Sequence, residues 1–346
     1  MSETIDGAFL LNSRGIAQNL EAFVVGCAFN RAGTHAAFGL GDGTIRLAPL
    51  ARDANWNNVT AHDGAVMSLS PDSGLDGFVS GGDDSRLVGL SSLGELREIA
   101  ALGKWVEQTT SFWDGKSGVV AASAGRAVYL FGPGGERLKT MEHPSTVTGI
   151  AFDAKGKRIA ASHYNGTSLW YVNSTSPTPR RLEWKGSHTA VALHPAAEAV
   201  VSAMQENALH GWRLPDGHDM RMSGYPAKPE TLGFTRTGKW LASSGADAIV
   251  LWPFFGGGPM GKPPLELAQI ENVTCTRIAC HPTDDVVAAG YADGTVAIAE
   301  IASKRVLRVA PPANGAISAL AWSPSGAWLG FGTETGFAAL VDFTSK

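Results

Sequence analysis

The chain has 346 residues, 44% hydrophobic and 17% charged, with a formal net charge of −4. That balance supports a packed core rather than disorder, and the acidic charge offers no basic surface for nucleic-acid phosphates. No apolar run approaches the roughly 18 to 20 residues of a membrane helix, and the three cysteines, Cys27, Cys275 and Cys280, are no disulfide framework and fit a reducing compartment.

The start, MSETIDGAFLLNSRG, lacks the basic residues and long apolar run of a signal peptide, so a cytoplasmic protein is expected. After an unassigned segment, residues 7–23, a series of similar units begins. The first contains AFNRAG at Phe29 and then GLGDGTIRLAPL from Gly39 to Leu50. Almost the same words return as GYADGTVAIAEI from Gly290 to Ile301. Taking Asp42 and Asp293 as markers, weaker copies of the turn lie at Asp84, Gly125, Asn165, Glu206, Ala246 and Thr335. Their spacing is 40 to 42 residues, with one gap of 47. A second marker, the large residue ending the strand before each turn, falls at Phe29, Leu69, Phe112, Phe152, Leu193, Phe234, Cys280 and Trp322. Both markers give eight copies, and the insertion FFGGGPMGKPP, residues 254–264, accounts for the long gap.

Each copy reads as strand, turn, strand, tight turn, strand, in short β-branched, aromatic and small-residue runs punctuated by Gly, Asp, Asn and Pro. A looser fourth strand follows, as in NWNNVTA, ELREIAA, ERLKTME and RVLRVAP. No stretch shows a helical period. Four strands in about 41 residues is the unit of a β-propeller blade. The expected fold is all-β, a single propeller over residues 1–346, with eight blades of four antiparallel strands. Seven is the alternative, if the third copy with its atypical SAGRA turn is discounted. The eighth copy lacks a fourth strand, and residues 7–23 are expected to supply it and close the ring.

AHDGAVMSLSPD (residues 61–72), SPSG (residues 323–326), the two Asp-Gly-Thr turns and the tryptophans Trp170, Trp212 and Trp252 carry a resemblance to the WD40-repeat family. The copies are degenerate and rich in Ala and Gly, which suggests a bacterial type. The resemblance implies a hydrogen-bonded network of His, Ser or Thr, Asp and Trp inside a blade. In the second copy those places fall to His62, Ser80, Asp84 and Leu90, and in the fourth to His143, Ser162, Asn165 and Trp170. It also implies a non-catalytic scaffold for protein–protein interaction, with one or more protein partners, no nucleic acid, no membrane, no cofactor and a monomeric state.

The family's usual binding face carries the loops before each first strand and the tight turns. Here those loops hold Lys104, Trp105, His163, Tyr164, Gln205, Glu206, Lys228, Glu230, Asn272, Tyr291 and Glu334, a set of aromatic and mixed-charge residues suited to protein recognition. Phe254, Phe255 and Met260 of the insertion form an apolar hook if exposed, or a cover for the blade if folded back. Cys275, Cys280 and His281 lie close in sequence, as weak metal candidates; a structural reading is preferred, because His281-Pro282 repeats as His194-Pro195 in another copy. The second function class is therefore a propeller that binds a small ligand or metal, and an enzyme using the central channel ranks last. The chain has no Walker loop, GxSxG, HExxH or paired CxxC.

Overall fold

Runs such as Val66–Pro71, Gly77–Gly82 and Arg86–Ser91 form antiparallel strands joined by tight turns, and this unit recurs along the whole chain. The computed structural model describes residues 9 to 344. Eight first strands stand in a ring: Val24–Phe29, Val66–Pro71, Val106–Trp113, Gly149–Phe152, the C-terminal half of Arg180–Leu193, Leu232–Phe234, Cys275–Cys280 and Ile317–Trp322. Each packs against the next, and the last packs against the first. Second strands such as His35–Leu40 and Ala199–Met204 are covered on both faces by neighbouring sheets. They therefore read as continuous apolar and small-residue runs rather than as alternation.

Strand Gly15–Asn19 pairs antiparallel with Phe337–Asp342, with Ile16 opposite Leu340 and Ala17 opposite Ala339. It is the outer strand of the eighth unit, so the ring is closed by an N-terminal strand. A short helix, Leu10–Arg14, precedes it where the sequence suggested none. Gly7 and Ala8 of the expected closing segment lie outside the described residues.

The blade count needs correction. Among the described residues the strands assemble into seven hydrogen-bonded sheets, the number given as the alternative, not into eight separate ones. The third copy is not the one lost, because it forms an ordinary four-stranded sheet. Instead the fourth and fifth copies share one six-stranded sheet. Strand Arg180–Leu193 pairs with the fourth copy through residues 180–187 and with the fifth through residues 188–193. The fourth copy keeps its tight turn inside strand Arg158–Tyr171. His163 Nε2 lies 2.9 Å from the Ser168 hydroxyl five residues on, a contact that requires the chain to reverse at Asn165 and Gly166. All eight repeats are thus present, arranged as seven sheets.

Neighbouring sheets meet through a recurring seam. A Cβ on Gly81, Gly290 or Gly332 would come within 2.7, 2.6 and 2.6 Å of Val106, Ile317 and Val24 in the next repeat. Only glycine admits these β-branched side chains so near the axis. The same three residues accept hydrogen bonds through their carbonyls, from Ser68 (3.2 Å), Thr276 (2.7 Å) and Ser318 (2.6 Å) respectively.

Candidate functional site

Three polar networks hold the rim turns. In the second repeat His62 bonds the Ser80 hydroxyl at 2.8 Å through Nε2 and Asp84 at 3.0 Å through Nδ1. Asp84 also accepts the backbone N–H groups of Asp63 and Arg86, at 3.1 and 3.0 Å. Burial works to raise the Asp84 carboxyl, but these donors outweigh it and hold it below its ordinary value. Leu90, at the Trp place, is simply packed in the core. In the fourth repeat Trp170 donates to His143 Nε2 at 3.0 Å, and His143 Nδ1 donates to the Arg126 carbonyl at 3.2 Å. Ser162 and Asn165 do not join them. Ser162 bonds Thr148, and Asn165 accepts the N–H of Gly186. The sixth repeat carries a network the sequence reading missed: Tyr225 OH accepts from Trp252 Nε1 at 2.6 Å and meets the Ser243 hydroxyl at 2.5 Å. A tyrosine stands where His62 and His143 stand in their repeats.

The rim residues separate by burial. Trp105 and Tyr164 are 58% and 54% exposed. They share one face: the Lys104 stem lies against Gly125, Val147 N–H bonds Gly125 O at 2.9 Å, and Tyr164 N–H bonds the Ser145 hydroxyl at 2.9 Å. Gln205, Glu206, Asn272 and Glu334 are exposed, whereas Lys228 is half-buried. Glu206 accepts the Ser187 N–H at 3.1 Å, and Glu230 pairs with Arg277. Two expected rim residues are corrected. Tyr291 is 0% exposed, with its hydroxyl donated to the Ala268 carbonyl, because it ends a second strand that is covered on both faces. His163 is buried, bonded to Ser168 and to the Tyr164 carbonyl.

Beside Tyr164 the face opens into a groove of about 790 Å³. Its origin is a register irregularity. Tyr164 pairs with Ser187 and Gly166 with Glu183, so two steps on one strand face four on the other. Trp184, Lys185 and Gly186 bulge outward opposite Asn165, and the Asn165–Gly186 hydrogen bond, 3.2 Å, fixes the bulge. Arg181, Thr167 and Trp184 also line the groove. None of these three residues was singled out by sequence reasoning. The available signal was a fourth copy whose turn has no aspartate.

Beneath the groove lies a row of buried histidines. Trp184 stacks on His210 at 4.0 Å, and neither His210 nitrogen has a hydrogen-bond partner among the described residues. His188 bonds the Ser202 hydroxyl at 2.6 Å and donates to the Trp184 carbonyl at 2.9 Å. Burial pushes His143 and His210 down to about 4, with the neighbouring His163 adding to the effect at His143. It also lowers His163 and His188. All four are uncharged near neutral pH.

Comparison with known proteins agrees with this architecture. Residues 273–346 match the family profile of the anaphase-promoting complex subunit 4 WD40 domain. The chain is a β-propeller whose residues 273–346 are similar to a WD40 domain. A stretch of 116 residues is 27% identical to Protein LST8 homolog of Drosophila melanogaster, covering 33% of this chain and 36% of that protein. The chain thus spans about a third of the length of that curated relative. The crystal structure of the computationally designed Ika8 protein superimposes with a TM-score of 0.72 at 19% identity, over 94% of this chain and 98% of that one.

In the propeller the insertion divides between the two expected roles. Phe254 folds back, its ring against Phe234 at 4.9 Å and His194 at 6.4 Å. Phe255 and Met260 remain about half exposed. Lys262 gathers the loop by donating to the carbonyls of Phe255, Gly256 and Gly258, with its ammonium 5.2 Å from the Phe255 ring centroid.

No group of three or more His, Cys, Asp or Glu placed to hold a metal occurs among the described residues. Burial pushes the Cys275 and Cys280 thiols up to about 12, which keeps them protonated and poor as metal ligands. His194 and His281 perform the same task in their two repeats. Each points Nε2 at the carbonyl of a turn glycine in a neighbouring repeat, Gly238 at 3.0 Å and Gly326 at 3.3 Å.

Proposed function

We propose that this WD40 propeller is a non-catalytic platform that binds partner proteins through the rim face of its third to fifth repeats. One observation carries the reading: Trp105 and Tyr164, two exposed aromatic side chains, stand on one continuous face beside a formed groove. Exposed aromatics next to a pocket are the anchors that dominate protein interfaces. The matched relatives support it in kind, since one is named as a subunit of a complex. Burial holds the Cys275 and Cys280 thiols protonated, which supports no nucleophilic role for them. No described helix is long and apolar enough to cross a membrane. We take the protein to be a cytoplasmic monomer whose partners are proteins rather than nucleic acid.

The test places a photo-crosslinking amino acid at Trp105, Tyr164 or Leu93 in the tagged protein, expressed in its own host. A discrete cross-linked protein from Trp105 and Tyr164, and none from the exposed Leu93 in a different turn of the second repeat, is expected. Cross-links from none of the sites, or equally from all, would overturn the platform reading.

A further inference from the structure

We propose that the groove of the fourth repeat takes an extended protein segment bearing an acidic side chain, held by Arg181 and Lys185. The proposal rests on the platform reading and names its partner's chemistry. Arg181 and Glu183 are exposed at alternate positions of one strand, and Lys185 is exposed in the bulge that follows them. Both cations lack an ion pair among the described residues, although Glu183 lies between them in sequence. The groove wall supplies the exposed Tyr164 ring and the half-buried Trp184 ring for apolar contact. It also supplies Thr167, whose buried hydroxyl has no hydrogen-bond partner among the described residues. An unpaired buried hydroxyl costs on the order of 1 to 3 kcal/mol. A backbone N–H or C=O from an incoming chain would satisfy it. The volume, about 790 Å³, lies inside the roughly 300–1,000 Å³ of pockets that enclose specific ligands.

The charge pattern selects among anions. Two guanidinium or ammonium groups separated by a carboxylate favour single, spaced carboxylates. They disfavour a dense anion such as a phosphate cluster or nucleic-acid backbone, which Glu183 would repel at close range. Glu206, bonded to the Ser187 N–H next to the bulge, adds to that repulsion.

The experiment measures fluorescence anisotropy of labelled hexapeptides, alternating alanine with glutamate or alanine with lysine, against the full-length protein at low and moderate salt. The glutamate peptide is expected to bind about tenfold more tightly than the lysine peptide, with an affinity that falls as salt rises. Arg181→Gln combined with Lys185→Gln should remove about tenfold of that affinity with an unchanged melting temperature, and Glu183→Gln should tighten binding by about threefold. Equal binding of both peptides, or no effect of the double substitution, would sink the proposal. Full displacement of the peptide by inorganic phosphate would do the same, by making the groove a small-anion site. Cross-linking from Trp105 and Tyr164 that persists in the double variant would leave the platform standing and remove only this occupant. Loss of all cross-linking in the unsubstituted protein would remove both.

Discussion

The phenol oxygen of Tyr225 shows how much one atom does inside a blade. It accepts the Trp252 indole N–H and meets the Ser243 hydroxyl, and all three side chains are buried. Tyr225→Phe leaves the shape intact and orphans both partners, so unfolding free energy should drop by about 1–3 kcal/mol, read as a lower urea midpoint at constant slope. A loss below about 0.5 kcal/mol would mean the partners bond elsewhere. Gly332 tests the seam between the eighth and first repeats. Gly332→Ala drives a methyl into Val24 and should cost about 1–3 kcal/mol. Adding Val24→Ala should recover part of that loss, the mark of a direct contact in a double-mutant cycle. These roles were only partly legible in the sequence. His62, Ser80 and Asp84 sit at the spacing of the family pattern, whereas Tyr225 substitutes a different residue type for the same bond. Tyr291 misled because it adjoins an Asp-Gly-Thr turn yet still belongs to a second strand that is buried on both faces.

Among elements, the insertion and the shared strand behave differently from the repeats around them. Residues 254–264 are held by the Phe254 and Phe255 ring contacts and by one ammonium facing three carbonyls. Lys262→Met should change global stability by less than about 0.5 kcal/mol. It should also raise the rate of proteolytic cutting within 254–264 several-fold, as followed by limited digestion and mass spectrometry. An unchanged digestion rate would show that Phe254, not Lys262, holds the loop. The insertion itself was legible as a single lengthened gap. Strand Arg180–Leu193 was not legible as shared, because RRLEWKG, residues 180–186, reads as a loose fourth strand of its own copy, like those of the other copies. Trp184-Lys185-Gly186 becomes a bulge within one strand only through pairing to Tyr164 and Asn165, a contact between elements that no local pattern records.

For the molecule as a whole, the repeat count and the closing strand could be read directly, since periodicity is a property of the chain. How many sheets result could not, because it depends on one hydrogen-bonding boundary. Acid should expose the energetic weak point. His143, His163, His188 and His210 are buried and held neutral, so the unfolded chain binds protons that the native state refuses. Their stabilisation is therefore complete above about pH 6.5 and declines as pH falls towards about 4, by up to about 1.4 kcal/mol per pH unit for each group titrating. Urea unfolding at pH 7.5, 6 and 5 checks this, and a stability that is flat over that range would contradict it. The closing strand carries a last consequence, for synthesis. Gly15–Asn19 leaves the ribosome early, but its partner Phe337–Asp342 is made more than 300 residues later. Throughout elongation the nascent ring has a free seam, with the first strand unpaired and the first repeat lacking the eighth as its neighbour. Completion of the fold therefore waits until Phe337–Asp342 has been made, and the interval before it is when the chain most needs protection from pairing with a second copy of itself.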